Sequence, residues 1–232
     1  MPGPQIATPA APRTDAELSE FLMRACHDLR GPLRTVRIYS ELMAKNRTAV
    51  GDHDNDQSLG FMASGATAAG AVVDGITDYA LALAIDPARF QPALLDVILR
   101  SAMAKQALAI RESGAQVVYG ELPTVMGDAD RLLQMFEYLL DQALRRRGSE
   151  QLRIDFAAER QNDAWLFTVS DNGAAVADAQ ERAFTPFARL HSNQRPGPGL
   201  AICRAIVERH GGRMWAEAAR EGCVFRFTLP AE

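Results

Sequence analysis

Three short stretches of this 232-residue chain hold groups that could handle phosphate or a nucleobase. The first is Cys26-His27-Asp28-Leu29-Arg30-Gly31-Pro32-Leu33, a lone imidazole followed by a carboxylate. Neutral imidazole is a good nucleophile, and a carboxylate that holds the proton of one ring nitrogen leaves the other free to attack. Neighbouring residues do not stack on one helix face, so this pairing requires favourable rotamers. The second stretch, Val169-Ser170-Asp171-Asn172-Gly173, ends a strand-like run in an acid and a turn glycine. A carboxylate placed there can accept a hydrogen bond from an exocyclic amino group such as that of adenine, and Gly173 would let backbone approach the ring. The third, Pro196-Gly197-Pro198-Gly199-Leu200, opens a helix. Backbone N–H groups at a helix start cleared by glycine cradle an anion such as phosphate. Singly, the last two are weak signals, because D-N-G is usually a turn and G-x-G a loop.

Periodicity defines the elements that must position these groups. Apolar positions at Leu18, Leu22, Ala25, Leu29, Pro32, Val36, Tyr39 and Met43 alternate steps of four and three, a seven-residue repeat with one seam. His27 falls on the far, solvent-facing side with Arg30 and Gly31 one turn along, a place that packing does not explain. The helix is predicted from a cap at Thr14 or Asp15 to about Lys45, with Pro32 as a kink inside it. A polar connector over 46–56 leads to a second seam at Leu59, Met62, Ala66, Ala69, Val73, Ile76, Ala80 and Leu83, thinned by Gly60, Gly65, Gly70 and Gly75. Each glycine costs a helix on the order of 1 kcal/mol relative to alanine, so this one is expected to depend on close packing. Two seams alone bury little. A four-helix bundle made by two chains solves that, the alternative being a hairpin packed on the rest of its own chain.

Beyond Asp86 the character changes. Pro87, Phe90 and Pro92 mark a linker, followed by helical patterns over 93–111, 128–146 and 200–210 and strand patterns over 116–119, 152–157, 164–170, 213–217 and 223–229. This mixture predicts an α+β fold with helices layered on one face of a sheet. The expected division is a tail over 1–14, a helical hairpin over 15–86 and a second domain over 87–232.

Composition narrows the classes. A formal charge of −4 and the lack of a basic stripe argue against a nucleic-acid partner. Cys26, Cys203 and Cys223 are far apart with no C-x-x-C pair, which points to reduced thiols in a cytosolic protein rather than a disulfide scaffold or zinc site. The longest uninterrupted apolar run, 80–85, is far short of the roughly twenty residues of a membrane span. Residues 1–13, rich in Pro and Ala, lack the basic start and apolar core of a signal peptide. A soluble, cytoplasmic chain without a membrane span is therefore expected.

The order of the motifs gives them weight. Between the acid turn and the glycine-led helix lies Glu181-Arg182-Ala183-Phe184-Thr185-Pro186-Phe187-Ala188-Arg189-Leu190, and Ile206-Val207-Glu208-Arg209-His210-Gly211-Gly212 follows. Over about residues 15–230 the chain resembles the sensor histidine kinases, most closely those with a phytochrome-type transmitter. The His27 stretch resembles their phosphoacceptor box and the helix over 130–147 their asparagine-box helix. Asp171 to Gly173 is similar to the first glycine box, Phe184 to Phe187 to the phenylalanine box, and Gly197 to Leu200 to the second glycine box. The resemblance implies a hairpin that forms a dimeric four-helix bundle, followed by an α/β sandwich ATP-binding domain of the GHKL type. It also implies a relay in which ATP donates its γ-phosphoryl group to His27, helped by Asp28 and Arg30. An aspartate on the receiver domain of a response regulator would then take the group. Gln142, Arg145, Asp171, Gly173, Arg189, Gly197, Gly199 and Leu200 would bind ATP, and Gln142 would hold Mg2+.

Departures from the family pattern cluster at the nucleotide. Where the family reads N-L-L-x-N-A-x-K, this chain has Tyr138-Leu139-Leu140-Asp141-Gln142-Ala143-Leu144-Arg145. The amide of Gln142 remains a hard ligand, but its extra methylene moves the oxygen by about 1 Å, and Mg2+ demands near-ideal octahedral geometry. Misplacement on that scale can cost roughly a hundredfold in rate. Arg145 keeps the lysine's charge, while Ala175 replaces the second glycine of the first glycine box. Gly31, four residues after His27, has no side chain to orient a water, so phosphatase activity resting on that position is not expected. Two readings follow: a working, slow kinase, or a phosphotransfer or docking protein with weak or no ATP binding. Asp52 to Asp56 mimics a calcium loop, but Gln57 and Ala63 fail its frame. His210-Gly211-Gly212 reads as a glycine-capped helix end, Trp165 and Trp215 as sheet packing, and Arg146-Arg147 as a solvated helix end.

Overall fold

Glycine decides how the helical hairpin packs. The computed structural model describes residues 15–45, 52–148, 150–174, 184, 199–217 and 222–231. They fall into two compact units, residues 13–78 and the remainder of the chain. The first unit holds α1 (Asp15–Lys45) and most of α2 (Asp52–Leu83). On α1 the expected seam is in place from Ala25 onward: Ala25 is buried and Leu29, Pro32, Val36, Tyr39 and Met43 are half-buried, while His27, Arg30 and Gly31 face solvent; the side chains of Leu18 and Leu22 lie outside those described. On α2 only half of the expected seam holds. Met62, Ala69, Ile76 and Leu83 lie inward, but Leu59, Ala66, Val73 and Ala80 are exposed, and Ser58, Gly65, Val72 and Tyr79 take their places. The reason is backbone approach. A Cβ on Gly65 would lie 2.9 Å from the Pro32 carbonyl oxygen and 3.0 Å from Val36 Cγ2, so α2 turns its leanest face to α1. Tyr39 and Phe61 stack at 4.7 Å. Asp52 to Asp56 is the first helical stretch of α2 rather than a loop, which shortens the expected connector. By length and composition alone, Gln57–Leu83 is long and apolar enough to cross a membrane. Scattered polar residues kept its uninterrupted apolar runs short without changing its overall character.

In the second unit a 3-10 turn at Pro87–Arg89 precedes β1 (Gln91–Leu94), which pairs antiparallel with β3 (Thr124–Gly127). Sequence patterning missed both strands, because Pro92 argues against a ladder, and β1 tolerates it in a two-stranded sheet. The expected helix over 93–111 is two, α3 (Leu95–Lys105) and α4 (Ala107–Ser113), since α4 buries nothing that would hold it in line. A five-stranded sheet runs β2-β4-β5-β7-β6, formed by β2 (Gln116–Tyr119), β4 (Arg153–Gln161), β5 (Ala164–Asp171), β6 (Met214–Glu217) and β7 (Cys223–Pro230). Its only parallel pair is β2 with β4. Strand period sends Ile154, Phe156, Phe167, Val169, Phe225 and Phe227 into the core, where Phe167 and Phe227 stack at 4.7 Å. Onto that face pack α5 (Ala129–Arg145), through Phe136 against Phe156, and α6 (Gly199–Arg209). Trp165 and Trp215 sit half-exposed on the sheet, each under a guanidinium, of Arg160 and Arg213 respectively.

His210 pins this unit together. Its Nδ1–H donates to the Ile206 carbonyl at 2.7 Å, its Nε2 accepts the Asp128 N–H at 3.0 Å, and its ring stacks on Phe90 at 4.5 Å. Gly211, at φ +78°, completes the glycine-capped helix end expected from the sequence. Burial lowers the imidazole's pKa below the ordinary 6.5, outweighing the Ile206 carbonyl and Asp128 charge. Stability is therefore complete above about pH 6.5 and is lost as pH falls toward the lower folded value, because the unfolded chain binds the proton first. Thermal unfolding of the second unit is expected to drop by a few degrees between pH 7.5 and about pH 5.5. In His210→Gln the midpoint should be lower throughout and flatter with pH; an unchanged slope would remove His210 as the cause.

Candidate functional site

His27 is presented, not packed. Its side chain is 82% exposed, and Nδ1 lies 3.3 Å from Asp28 Oδ1. The rotamers needed for that contact are thus adopted. With Asp28 as acceptor the ring carries its proton on Nδ1, and the Nε2 lone pair is left to attack. Arg30 is exposed one turn further on, and a Cβ on Gly31 would meet open space.

The second cluster forms where α5, β5 and α6 end or begin. Asp128 caps α5 by accepting the N–H groups of Asp130 and Arg131, which fixes the helix that carries Gln142 and Arg145. Gln142 is half-exposed near the α5 C-terminus, and Arg145 turns onto its own helix, pairing with Asp141 at 2.6 Å. Asp171 closes β5, and Gly173 N–H donates to its Oδ1 at 3.0 Å. Asn172 ties the same turn to β4, its Oδ1 accepting the Arg153 N–H at 2.7 Å and its amide donating to the Gln151 carbonyl at 3.0 Å. Gly199 starts α6 against Tyr138, where a Cβ would sit 2.9 Å from the ring, and Leu200 is buried behind it. Phe184 is buried beneath the Arg204 guanidinium at 4.0 Å and edge-on to Phe225. Arg189, Gly197 and Phe187 lie outside the described residues. Cys203 and Cys223 are buried thiols whose pKa values burial drives up, which leaves them inert.

Arg146 is the residue that sequence reasoning misplaced. Far from being a solvated helix end, its side chain is 1% exposed and its Nη2 donates to Asp171 Oδ2 at 2.5 Å. Nε donates to the Gln142 carbonyl at 3.1 Å, and the guanidinium lies 5.6 Å from the Phe225 ring centre. Burial pushes the Asp171 carboxyl upward, while the Arg146 charge and the Gly173 N–H pull it back. The signal was available: Leu132, Met135, Phe136, Leu139, Leu140 and Ala143 form the buried stripe of α5, and Arg146 follows Ala143 by three.

The fit to a nucleotide is divided. A half-exposed amide at Gln142 suits a hard cation that keeps most of its waters and takes the rest of its ligands from phosphate. Among the described residues no group of three or more His, Cys, Asp or Glu side chains gathers to hold a metal by itself. At the base end, both Asp171 oxygens are already engaged.

Residues 127–232 match the family described as histidine kinase-, DNA gyrase B- and HSP90-like ATPase. The phytochrome-like protein Cph1 of Synechocystis is 35% identical over 226 residues, covering 94% of this chain and 30% of that protein. Cyanobacterial phytochrome A of Nostoc is 35% identical over 224 residues, covering 94% and 29% respectively. The chain thus spans about three-tenths of the length of these relatives. Among solved structures, the catalytic domain of histidine kinase ThkA is 27% identical with a TM-score of 0.55, over 62% of this chain and 96% of that domain. ThkA in complex with response regulator protein TrrA shares the fold at a TM-score of 0.69 and 21% identity, over 94% of this chain and 63% of that one. Residues 127–232 are a histidine-kinase-type ATPase domain, and with the helices before them they make this chain a sensor histidine kinase transmitter module.

Proposed function

We propose that this protein is a two-component histidine kinase that phosphorylates His27 from ATP and passes the group to an aspartate on a response regulator. The observation that carries the reading is the exposed imidazole with Asp28 on its Nδ1. Nε2 attacks the γ-phosphorus, an Nε2–P bond forms, and the bond to the bridging oxygen breaks with its electron pair leaving on ADP. Asp28 holds the Nδ1 proton and balances the charge that develops on the ring. A receiver carboxylate oxygen then attacks phosphorus, and the Nε2–P electron pair returns to the ring. Arg30 draws in the anionic partners, and Arg145, Gly173, Arg189, Gly197, Gly199 and Leu200 frame the nucleotide. Gln142 would hold Mg2+ together with the phosphates, and the ion would supply neutralising charge there.

The functional division runs at 86/87, with the hairpin dimerising into a four-helix bundle. Exposed Leu33, Leu42, Leu59 and Val73 favour that reading, as do Asp74 and Asp78, which suit a water-facing bundle better than a lipid-facing α2. The protein acts in the cytoplasm. Incubation with γ-labelled ATP and Mg2+ should place an acid-labile, alkali-stable phosphate on the chain. The Arg146–Asp171 pair favours a second reading, a phosphotransfer protein with weak ATP binding. Absence of label together with absence of ATP affinity sinks the kinase reading, and phosphate uptake from a phosphorylated receiver would then establish the second.

Gln142→Asn restores the family's shorter amide. If the extra methylene limits catalysis, the labelling rate should rise by up to about a hundredfold with Mg2+ present. An unchanged rate in single-turnover assays would locate the limit elsewhere.

A further inference from the structure

Resting on the reading of ATP as the phosphoryl donor, we infer that Tyr138 is a positioning residue of the nucleotide site: its ring braces the first residue of α6, so that the N–H groups which receive the phosphates are held in place before ATP arrives. A Cβ on Gly199 would lie 2.9 Å from Tyr138 Cδ1, 3.4 Å from Cε1 and 3.5 Å from Cγ, so one edge of the ring lies directly against the glycine. Gly199 opens α6. The first N–H groups of a helix have no partner within it, which is what fits them for phosphate.

The brace is the outer end of a seam. Here α5 and α6 run side by side in opposite directions: Tyr138 meets Gly199, and one turn deeper the Cys203 thiol donates to the Met135 carbonyl at 3.7 Å. Met135, Leu200 and Cys203 are buried, whereas Tyr138 is half-exposed, so the seam opens to solvent at Tyr138. Gln142 follows one turn along the same flank of α5, also half-exposed. The amide that would hold the metal and the ring that holds the α6 start are therefore carried by one helix, itself capped at Asp128. Without the ring, ATP would have to order the α6 start as it bound. That cost falls on the phosphate end of the ligand and not on the base.

Calorimetric titration of the full chain with ATP, beside an NMR titration with adenosine, tests this. Tyr138→Ala, checked for folding by circular dichroism, should bind ATP at least about tenfold more weakly than wild type, and adenosine within about twofold of it. Tyr138→Phe keeps the ring and should hold ATP within about twofold of wild type. If the alanine variant does not fold, Tyr138→Leu, which removes the ring but keeps much of its bulk, takes its place with the same expectation. Unchanged ATP affinity in the ringless variant overturns the inference. So does an equal loss for ATP and adenosine, which a general loosening of the fold would give. A Tyr138→Phe protein as weak as the ringless one overturns it too, since the hydroxyl and not the ring would then act. Failure of both ringless variants to fold makes Tyr138 a pillar of the fold and overturns it as well. All these outcomes leave the kinase reading standing. Wild-type protein that binds no ATP defeats that reading itself, and this inference with it.

Discussion

Replacing His27 with alanine is expected to abolish phosphate incorporation completely while leaving the fold unchanged. The two halves of that expectation come from the same observation. A side chain 82% exposed contributes little packing, so stability should stay within about 0.5 kcal/mol of wild type. The chemistry has no substitute nearby. Asp28 accepts a proton but cannot form an acid-labile, alkali-stable phosphoramidate, and Arg30 is a cation with no lone pair at neutral pH. Cys26 is an exposed thiol one residue away, and phosphate carried there would have a different stability profile from a phosphohistidine. The decisive measurement pairs label incorporation from ATP with uptake from a phosphorylated receiver domain, because the kinase and phosphotransfer readings both route through Nε2. His27→Ala should be silent in both assays. Labelling at wild-type level in either would remove His27 from the reaction, whatever the state of the nucleotide site. Asp28→Asn separates positioning from nucleophilicity: the amide still contacts the ring but can stabilise the wrong tautomer, so transfer should slow without label being lost altogether.

How far the chain discloses this architecture depends on which physical effect rules each element. The α1 seam and the exposure of His27 were legible because a seven-residue repeat of sizeable apolar residues leaves one answer. On α2 the same rule selected Leu59 and Val73, whereas the structure selects Gly65 and Tyr79. There hydrophobicity and close backbone approach point in opposite directions, and a Cβ 2.9 Å from the Pro32 oxygen shows which wins. At the second site, Asp171, Gly173 and Gly199 were legible from turn and helix-start chemistry. Arg146 was passed over although it continues the buried stripe of α5 three residues beyond Ala143, since a charged residue at a helix end is ordinarily solvated. Its burial requires a carboxylate twenty-five residues further along the chain, a pairing that only β5 and its turn bring about. Asp171 was singled out for its type and place, and its partner in the folded chain is a guanidinium.

Gly222 makes the second large expectation, and it reaches the same carboxylate from the other side. The residue has φ +72°, and a Cβ added there would lie 1.6 Å from the Asp171 carbonyl oxygen, 2.6 Å from its carbonyl carbon and 3.0 Å from Asn172 Cα. Every one of those neighbours is backbone, so no rotamer change relieves the clash. Register places Cys223 directly opposite Asp171, which means β7 cannot move aside without carrying the end of β5 with it. Left-handed backbone costs a non-glycine residue roughly 1–2 kcal/mol, and overpacking against a fixed ladder adds about 1–3 kcal/mol. Gly222→Ala should therefore destabilise the second unit by about 4 kcal/mol and lower its unfolding midpoint by roughly ten degrees. Gly60→Ala is the matching control. Nothing lies within 4 Å of its Cβ position on α2, and helix propensity alone should stabilise there by up to about 1 kcal/mol. The two glycines thus predict opposite signs for the same added methyl group. A Gly222→Ala midpoint within two degrees or so of wild type would mean that the β5–β7 ladder yields at Asp171, and with it the rigidity that holds the carboxylate against Arg146.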